Sequence, residues 1–258
     1  RRQRQMCIET AHELSAYVER KLFTLNTGHA ITAYLGRLRG YATIHESITD
    51  RQLRSVVREA MRESGLGLSA RYGLDREEHF RYIDRIIGRF ENPYLDDRVE
   101  RVGREPLRKL GPTDRLVRPT LTAREYGYPT LALTLGIGAA LLYDNPDDPE
   151  SVEMMRRIEQ QGLTDAVADF TGIPADAPIQ EAIAQAVTLP ADFSVSSLWV
   201  RTAGEKAARS GQIFSGCVCA VGSDSCKNSP WNMNFSYCHD PGSQTAGFFV
   251  SCRIERID

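Results

Sequence analysis

Apolar residues recur at three- and four-residue spacing from about residue 9 to 186, and this period is typical of amphipathic helices. In the segment LRSVVREAMRESGLGLSARYG the spacing puts these side chains on one face: Leu53, Val56, Val57, Ala60 and Met61. In HFRYIDRIIGRF it does the same for Phe80, Ile83, Ile86, Ile87 and Phe90. Strand-like alternation is scarce, so the pattern predicts a mainly α, multi-helical domain of about eight to ten helices.

Helix ends and one buried helix are also predicted. We expect Gly40, Gly73 and Gly88 to close or interrupt helices, and NPDDPESV to form a turn followed by an acidic helix start. The apolar run PTLALTLGIGAALLY reads as a buried helix. Its Gly136 and Gly138 lack the third glycine of a dinucleotide-binding loop, so they indicate close helix packing.

The amino-acid composition of the chain changes after LPADFS. Residues 194–258 are rich in Ser, Gly, Cys and aromatic residues, with SLWVRT, GCVCAVG and GFFVSCRIER as strand candidates. The sequence therefore predicts two parts. Residues 1–190 form a helical domain, and residues 191–258 form a small, irregular or β, Cys-rich tail.

Composition and charge exclude some classes of function. The 258 residues are 41% hydrophobic and 26% charged, as in ordinary globular proteins, and the net charge of -2 gives no general attraction to nucleic acid or membranes. No apolar run approaches the roughly 18 residues of a membrane helix. The opening RRQRQM has no apolar signal region after it and is typical of a fragment or a truncated product.

Five of the six cysteines lie in the last 42 residues: Cys217, Cys219, Cys226, Cys238 and Cys252. A zinc site, with His239 as a further ligand, is disfavoured by the spacing, because a C-x-C is followed by gaps of 6, 11 and 13 residues. Disulfides and reduced structural cysteines remain alternatives. The first part of the chain has only Cys7, which favours a cytoplasmic protein.

The segment KLFTLNTGH places Lys21, Asn26 and His29 among apolar residues. On an ideal helix they lie at about 0°, 140° and 80°, on one broad face. A poorly solvated lysine has a lowered pKa and can act as a general base. Asn26 and His29 could then donate hydrogen bonds to a reacting oxygen. The alternative is a snorkelling lysine, a capping asparagine and a core histidine.

An arginine-rich stretch, RVERVGREPLRKLGPTDRLVR, carries seven basic and three acidic residues. Arginine recognises phosphate through a fixed fork of donors, so we expect Arg104 and Arg108 to bind a phosphorylated substrate. Arg89 and Asn92 are further candidates for substrate binding. The alternatives are a solvated helix face for the arginines and a simple turn at Asn92.

The segment YVERKLFTLNTGHAITAYLG resembles the catalytic segment of the polyol-specific long-chain dehydrogenases, whose signature is Lys, four residues, Asn, two residues, His. RIIGRFENPYLDDRVERVGREPLRKL, DRLVRP and EYGYP extend the resemblance over about residues 9–188, and these stretches are similar to members that act on a phosphorylated polyol. The resemblance implies Lys21 as general base, with Asn26 and His29 binding the reacting oxygen. The substrates would be D-mannitol 1-phosphate and D-fructose 6-phosphate.

The resemblance also implies NAD as the cofactor, no metal, and a Rossmann domain before the helical one. No G-x-G-x-x-G follows a strand here, so we expect the NAD site to lie on a domain absent from this chain, and the chain to be inactive alone. The alternative is a non-catalytic module that binds a polyol phosphate or another protein. The segment SPWNMNFSYCHDPGSQTAGFFVSCRIER faintly resembles the end of formylglycine-generating-enzyme-like domains, from which no function carries over.

Overall fold

The computed structural model describes residues 14–188 with their side chains, and the backbone of two strands at residues 231–239 and 248–256. The chain falls into two compact units, Arg1–Asp192 and Phe193–Asp258. In the first unit, residues 14–20 are helical and continue into a π-helical segment, Lys21–Asn26. Eleven α-helices follow: α1 Thr27–Leu38, α2 Ile44–Thr49, α3 Arg51–Tyr72, α4 Arg76–Phe90, α5 Val99–Gly103, α6 Pro106–Lys109, α7 Val117–Glu125, α8 Leu131–Leu141, α9 Pro149–Gln161, α10 Leu163–Thr171 and α11 Pro178–Val187.

Side-chain caps explain where several helices begin. Thr43 and Glu46 form a capping box at the start of α2, in which each side chain binds the other residue's backbone N–H. Asp50, Asp75 and Asp148 accept backbone N–H groups at the starts of α3, α4 and α9. These short polar residues satisfy donors that the first helical turn leaves unpaired.

Helices α1, α3 and α8 form the centre of the first unit. Helix α1 packs against α2, α3, α5 and α8, and α3 also packs against α4, α7 and α8. Helix α8 is buried along almost its whole length, as predicted for the apolar run. Its Gly136 lies against Ile31 and its Gly138 against Ala186, so close helix packing is confirmed for both glycines.

The two predicted apolar faces are confirmed with one difference. All five predicted residues of α3 are buried, and so are Ile83, Ile86, Ile87 and Phe90 of α4. Phe80 is only half-buried, and the guanidinium of Arg62 lies 4.5 Å from its ring centre. The neighbouring His79 is buried instead. A histidine in the core is invisible to a hydrophobic period, because its burial depends on the partners that it finds.

The predicted helix ends are confirmed at two glycines and wrong at the third. Gly40 and Gly73 follow α1 and α3 with φ of 76° and 66°, a left-handed conformation that favours glycine. Gly88 lies inside α4 and is exposed, and a Cβ added there would have no atom within 4 Å, so the glycine is simply tolerated. The described residues also contain more helices than the predicted eight to ten, because α5 and α6 are too short to show a period.

The second unit is described only at the strands β1 (Trp231–His239) and β2 (Phe248–Arg256). They pair antiparallel, with Phe235 opposite Cys252 and Tyr237 opposite Val250. Strand β2 was predicted from GFFVSCRIER, whereas β1 was not predicted. SLWVRT, GCVCAVG and the remaining cysteines lie outside the described residues. Among the described residues, no helix has the length and apolar character needed to cross a membrane.

Candidate active site

Lys21 and Asn26 are the first and last residues of the π-helical segment. The backbone N–H of Thr27 donates to the carbonyl of Leu22, five residues back, where an α-helix would use Phe23. A π-helical turn brings residues five apart to the same side, whereas an α-helix separates them by about 140°. The spacing of Lys21 and Asn26 therefore matches the local helix type.

Lys21 is exposed on the described part of the chain, so the expectation of a poorly solvated lysine was wrong for this chain. The expectation rested on the apolar residues next to Lys21 in the sequence. Phe23, one of these residues, is buried in the core, while Lys21 itself stays exposed. Asn26 is half-buried. The residues on the lysine's own flank, Tyr17 and Val18, are also exposed, with 70% and 57% of their surface accessible.

His29 lies in the first turn of α1 and stacks on Phe90, with ring centres 5.0 Å apart. Its Nε2 is 3.1 Å from Oδ2 of Asp97, at ion-pair distance although the direction is poor for a hydrogen bond. Burial lowers the pKa of His29, Asp97 opposes that shift, and Arg101 adds to it. The lowered pKa makes a neutral imidazole the main form at pH 7.

A basic cavity of about 210 Å³ opens beside His29. This space is large enough for a small anion such as phosphate. It is lined by five cations, one acid, His29 and an apolar residue: Arg101, Arg104, Arg108, Lys109, Arg115, Glu105, His29 and Val102. The lining thus has more cations than acids, although Arg101 pairs with Asp97, and Arg108 and Arg115 pair with Asp114.

Lys109 is the most buried cation of this cavity, with 4% of its surface exposed. Its ammonium donates to the carbonyl of Arg104 and lies 6.0 Å from the ring centre of Tyr34. Burial, reinforced by Arg115 and Arg108, lowers the pKa of Lys109 to about 8. This lysine is therefore still mostly protonated at pH 7 and can lose its charge at moderately alkaline pH.

The cavity wall is held on one side by two carboxylates at the start of α9, and on the other side by Thr27 of α1. Asp148 accepts the backbone N–H of Glu105 at 2.8 Å, and Glu150 accepts that of Arg108 at 3.0 Å. Glu105 has a φ of 58°, a strained conformation for a side chain with a Cβ. On the other side, the hydroxyl of Thr27 donates to the carbonyl of Arg115 at 2.7 Å. Thr27 thus ties the predicted catalytic segment to the basic wall.

The structure brings only some of the predicted site residues together. His29, Arg104 and Arg108 line one cavity. Arg89 and Asn92 are exposed and do not line it. Asn92 forms a turn in which its Oδ1 accepts the backbone N–H of Tyr94. This is the simple turn that the sequence offered as the alternative to substrate binding.

Four residues of the site were not singled out from the sequence: Asp97, Arg101, Lys109 and Arg115. All four lie inside the quoted stretches, but a charge run alone does not tell which side chains turn inward. Their proximity to His29 depends on contacts between segments about 70 to 90 residues apart, which only packing creates.

The described residues do not fit a dinucleotide. Residues 14–188 contain helices and one isolated β-bridge, without the parallel sheet and glycine-rich turn that hold NAD in a Rossmann domain. Among these residues there is also no cluster of three or more His, Cys, Asp or Glu suited to a metal ion.

A multi-helical domain in which His29 of the Lys-Asn-His segment lines a basic cavity is the arrangement expected of the substrate-side domain of a polyol dehydrogenase. The profile of one family, described as the mannitol dehydrogenase C-terminal domain, matches residues 13–194. The chain therefore belongs to this family, which confirms the resemblance noted in the sequence.

A similar solved structure is the ternary complex of mannitol 2-dehydrogenase from Pseudomonas fluorescens with NAD and D-mannitol. The two match with a TM-score of 0.59 and 21% identity, over 74% of this chain and 41% of that one. At this identity the likeness shows the fold. The chain spans less than half the length of the dehydrogenase that it matches.

Proposed function

We propose that this chain is the substrate-binding and catalytic domain of a mannitol-1-phosphate 5-dehydrogenase, which interconverts D-mannitol 1-phosphate and D-fructose 6-phosphate with NAD. The observation that carries the proposal is the basic cavity at His29. A free polyol offers only hydroxyl groups, for which five cations around about 210 Å³ are a poor match. A phosphate dianion matches them in charge and in donor geometry.

In the proposed reaction, His29 and Asn26 hold the alcohol oxygen and the amine of Lys21 removes its proton. As the carbonyl forms, the hydride of the reacting carbon would pass to NAD held on another domain. Asp97 lies at ion-pair distance from His29, and its negative charge raises the affinity of the imidazole for a proton. Arg104, Arg108 and Lys109 hold the phosphate, and this binding places the reacting carbon near the Lys-Asn-His side of the helix.

Lys21 needs to be desolvated before it can serve as a base at neutral pH. The apolar stripe Leu14, Tyr17 and Val18, exposed by 64%, 70% and 57%, leads along the helix to Lys21. We place a NAD-binding domain over this stripe, because covering it buries apolar surface and removes water from Lys21 in the same step.

The test is the Lys21→Met variant in a full-length protein that joins this chain to a NAD-binding domain. Turnover is expected to fall by about two to four orders of magnitude while NADH binding is unchanged, because only the proton acceptor is lost. Lys109→Met is the matched control, and it should raise the KM for mannitol 1-phosphate more than it lowers kcat. Near-normal turnover of Lys21→Met would contradict the assigned role of Lys21. No turnover in the unmodified full-length protein would favour a non-catalytic module that binds polyol phosphates.

A further inference from the structure

Ser64, in the middle of α3, donates its hydroxyl to the backbone carbonyl of Phe23 at 2.5 Å. Phe23 lies in the π-helical segment, and its carbonyl is the one that Thr27 would use in an α-helix. The Thr27 N–H donates instead to the carbonyls of Leu22 and Thr24. Ser64 therefore binds the carbonyl that a return to the α-helical register would need, and it takes up one of the two lone pairs of that oxygen.

His79, from α4, makes a second contact with the same segment. Its Nε2 lies 3.3 Å from the hydroxyl oxygen of Thr24, and both residues are buried. Burial and the nearby Arg20 lower the pKa of His79 to about 4, so its ring is neutral at physiological pH. A neutral ring can share a hydrogen bond with Thr24 without placing a charge in the core.

Gly65 makes room for this histidine. A Cβ on Gly65 would lie 2.6 Å from Cδ2 and 2.8 Å from Nε2 of His79, closer than real side chains approach. A glycine inside a helix is destabilising relative to alanine, so its presence here needs a packing reason. The ring of His79 supplies that reason, because no other residue type at position 65 leaves the ring its place.

The register matters because the three residues of the predicted catalytic segment are spaced five and three apart. A π-helical turn brings Lys21 and Asn26 close together on one side of the helix, and an α-helical turn does the same for Asn26 and His29. In an α-helix throughout, Lys21 and Asn26 would lie about 140° apart, at the two edges of the broad face predicted from the sequence.

We propose that Ser64 and His79 are positioning residues, which hold the π-helical register of Lys21–Asn26 and so keep Lys21, Asn26 and His29 on one side of the helix. This inference rests on the proposed function for the role of Lys21. The register itself is a property of the chain alone and can be measured without activity.

The first experiment uses the 258-residue chain with Ser64→Ala and Thr24→Val, which remove both hydroxyls at little change in volume. The acceptor of the Thr27 N–H, measured by NMR couplings across hydrogen bonds or by crystallography, is expected to change from Leu22 to Phe23. Thr24→Val alone, the mildest change, serves if the double variant does not fold. Persistence of the Leu22 bond in a folded variant would overturn the proposal.

Matched controls separate this effect from a general loss of stability. Ser47 in α2 and Thr120 in α7 are buried residues with a hydroxyl group. Their hydroxyls donate to the carbonyls of Thr43 and Leu116, the residues just before these two helices. Ser47→Ala and Thr120→Val should lose similar stability and leave the Thr27 bond unchanged. Thr24→Ser, which keeps the hydroxyl, should retain the π-helical register.

The second experiment measures turnover in the full-length protein. Ser64→Ala with Thr24→Val is expected to lower kcat by about 10- to 100-fold with KM little changed, because a catalytic group is misplaced while the binding cavity is intact. Thr24→Ser should retain kcat. A changed register with normal kcat would overturn the positioning role. Failure of the proposed function is seen separately, as normal turnover of Lys21→Met or as no turnover in the unmodified full-length protein.

Discussion

Oδ2 of Asp97 lies 3.1 Å from Nε2 of His29, while the other carboxylate oxygen of Asp97 accepts from the guanidinium of Arg101. One acid thus links the histidine of the predicted catalytic segment to the first cation of the basic cavity. Because Asp97 and Arg101 act on His29 in opposite directions, the charge state of the imidazole depends on both.

The pKa of His29 should move in opposite directions in two variants. Asp97→Asn removes a negative charge that stabilises the imidazolium, so the pKa of His29 should fall further below 6.5. Arg101→Ala removes a positive charge that destabilises it, so the pKa should rise. NMR titration of the His29 ring protons measures both. A shift in the same direction in both variants would contradict the assigned contacts.

Substitution of Arg104 should weaken phosphate binding more than substitution of Arg108. Arg108 is already paired with Glu105 at 2.6 Å and with Asp114 at 3.5 Å, whereas Arg104 donates to the carbonyl of Arg101. A charged hydrogen bond contributes roughly 1.5–3 kcal/mol, so Arg104→Ala should weaken binding of mannitol 1-phosphate by about 10- to 150-fold. Titration calorimetry with mannitol 1-phosphate and free mannitol is the measurement.

Arg89→Ala is the matched control for the cavity arginines, because Arg89 is exposed and does not line the cavity. It should leave the affinity for both ligands unchanged. Equal affinity of the unmodified chain for phosphorylated and free mannitol would exclude a phosphate site in this cavity.

Phosphate binding should weaken as the pH rises through the pKa of Lys109, which lies at about 8 in the free chain. Below this pH the ammonium attracts the anion, and above it the neutral amine does not. A bound anion favours the charged form, so the midpoint in the complex should lie above the free value. Calorimetry with mannitol 1-phosphate between pH 7 and 10 measures this, because a phosphate monoester is already mostly a dianion at pH 7. Lys109→Arg, which keeps its charge, should bind with little dependence on pH.

Two glycine substitutions should change stability in opposite directions. A Cβ on Gly67 of α3 would lie 2.9 Å from the backbone of Ala123 in α7, so Gly67→Ala should destabilise the chain by about 1–3 kcal/mol. Nothing lies within 4 Å of the Cβ position at Gly88 of α4, where alanine should stabilise by about 0.5–1 kcal/mol. Urea unfolding measures both, and equal midpoints would show that α3 and α7 can separate at no cost.

The sequence by itself predicted the helical class, the apolar faces of α3 and α4, and the buried helix α8. These features depend on the period of a local pattern, because a helix repeats every 3.6 residues whatever lies around it. The Lys-Asn-His spacing and the basic run were also visible locally. The sequence therefore indicated which residues to consider and the class of chemistry they suit.

Only the tertiary structure decided which of those residues meet. It turned Arg104 and Arg108 toward His29, left Arg89 and Asn92 at the surface, and added Asp97, Lys109 and Arg115 to the site. It also decided the helix type at Lys21, since the π-helical register depends on Ser64 and His79, from helices 40 to 60 residues further along the chain. Such contacts arise from packing over large sequence separations, and no local period encodes them.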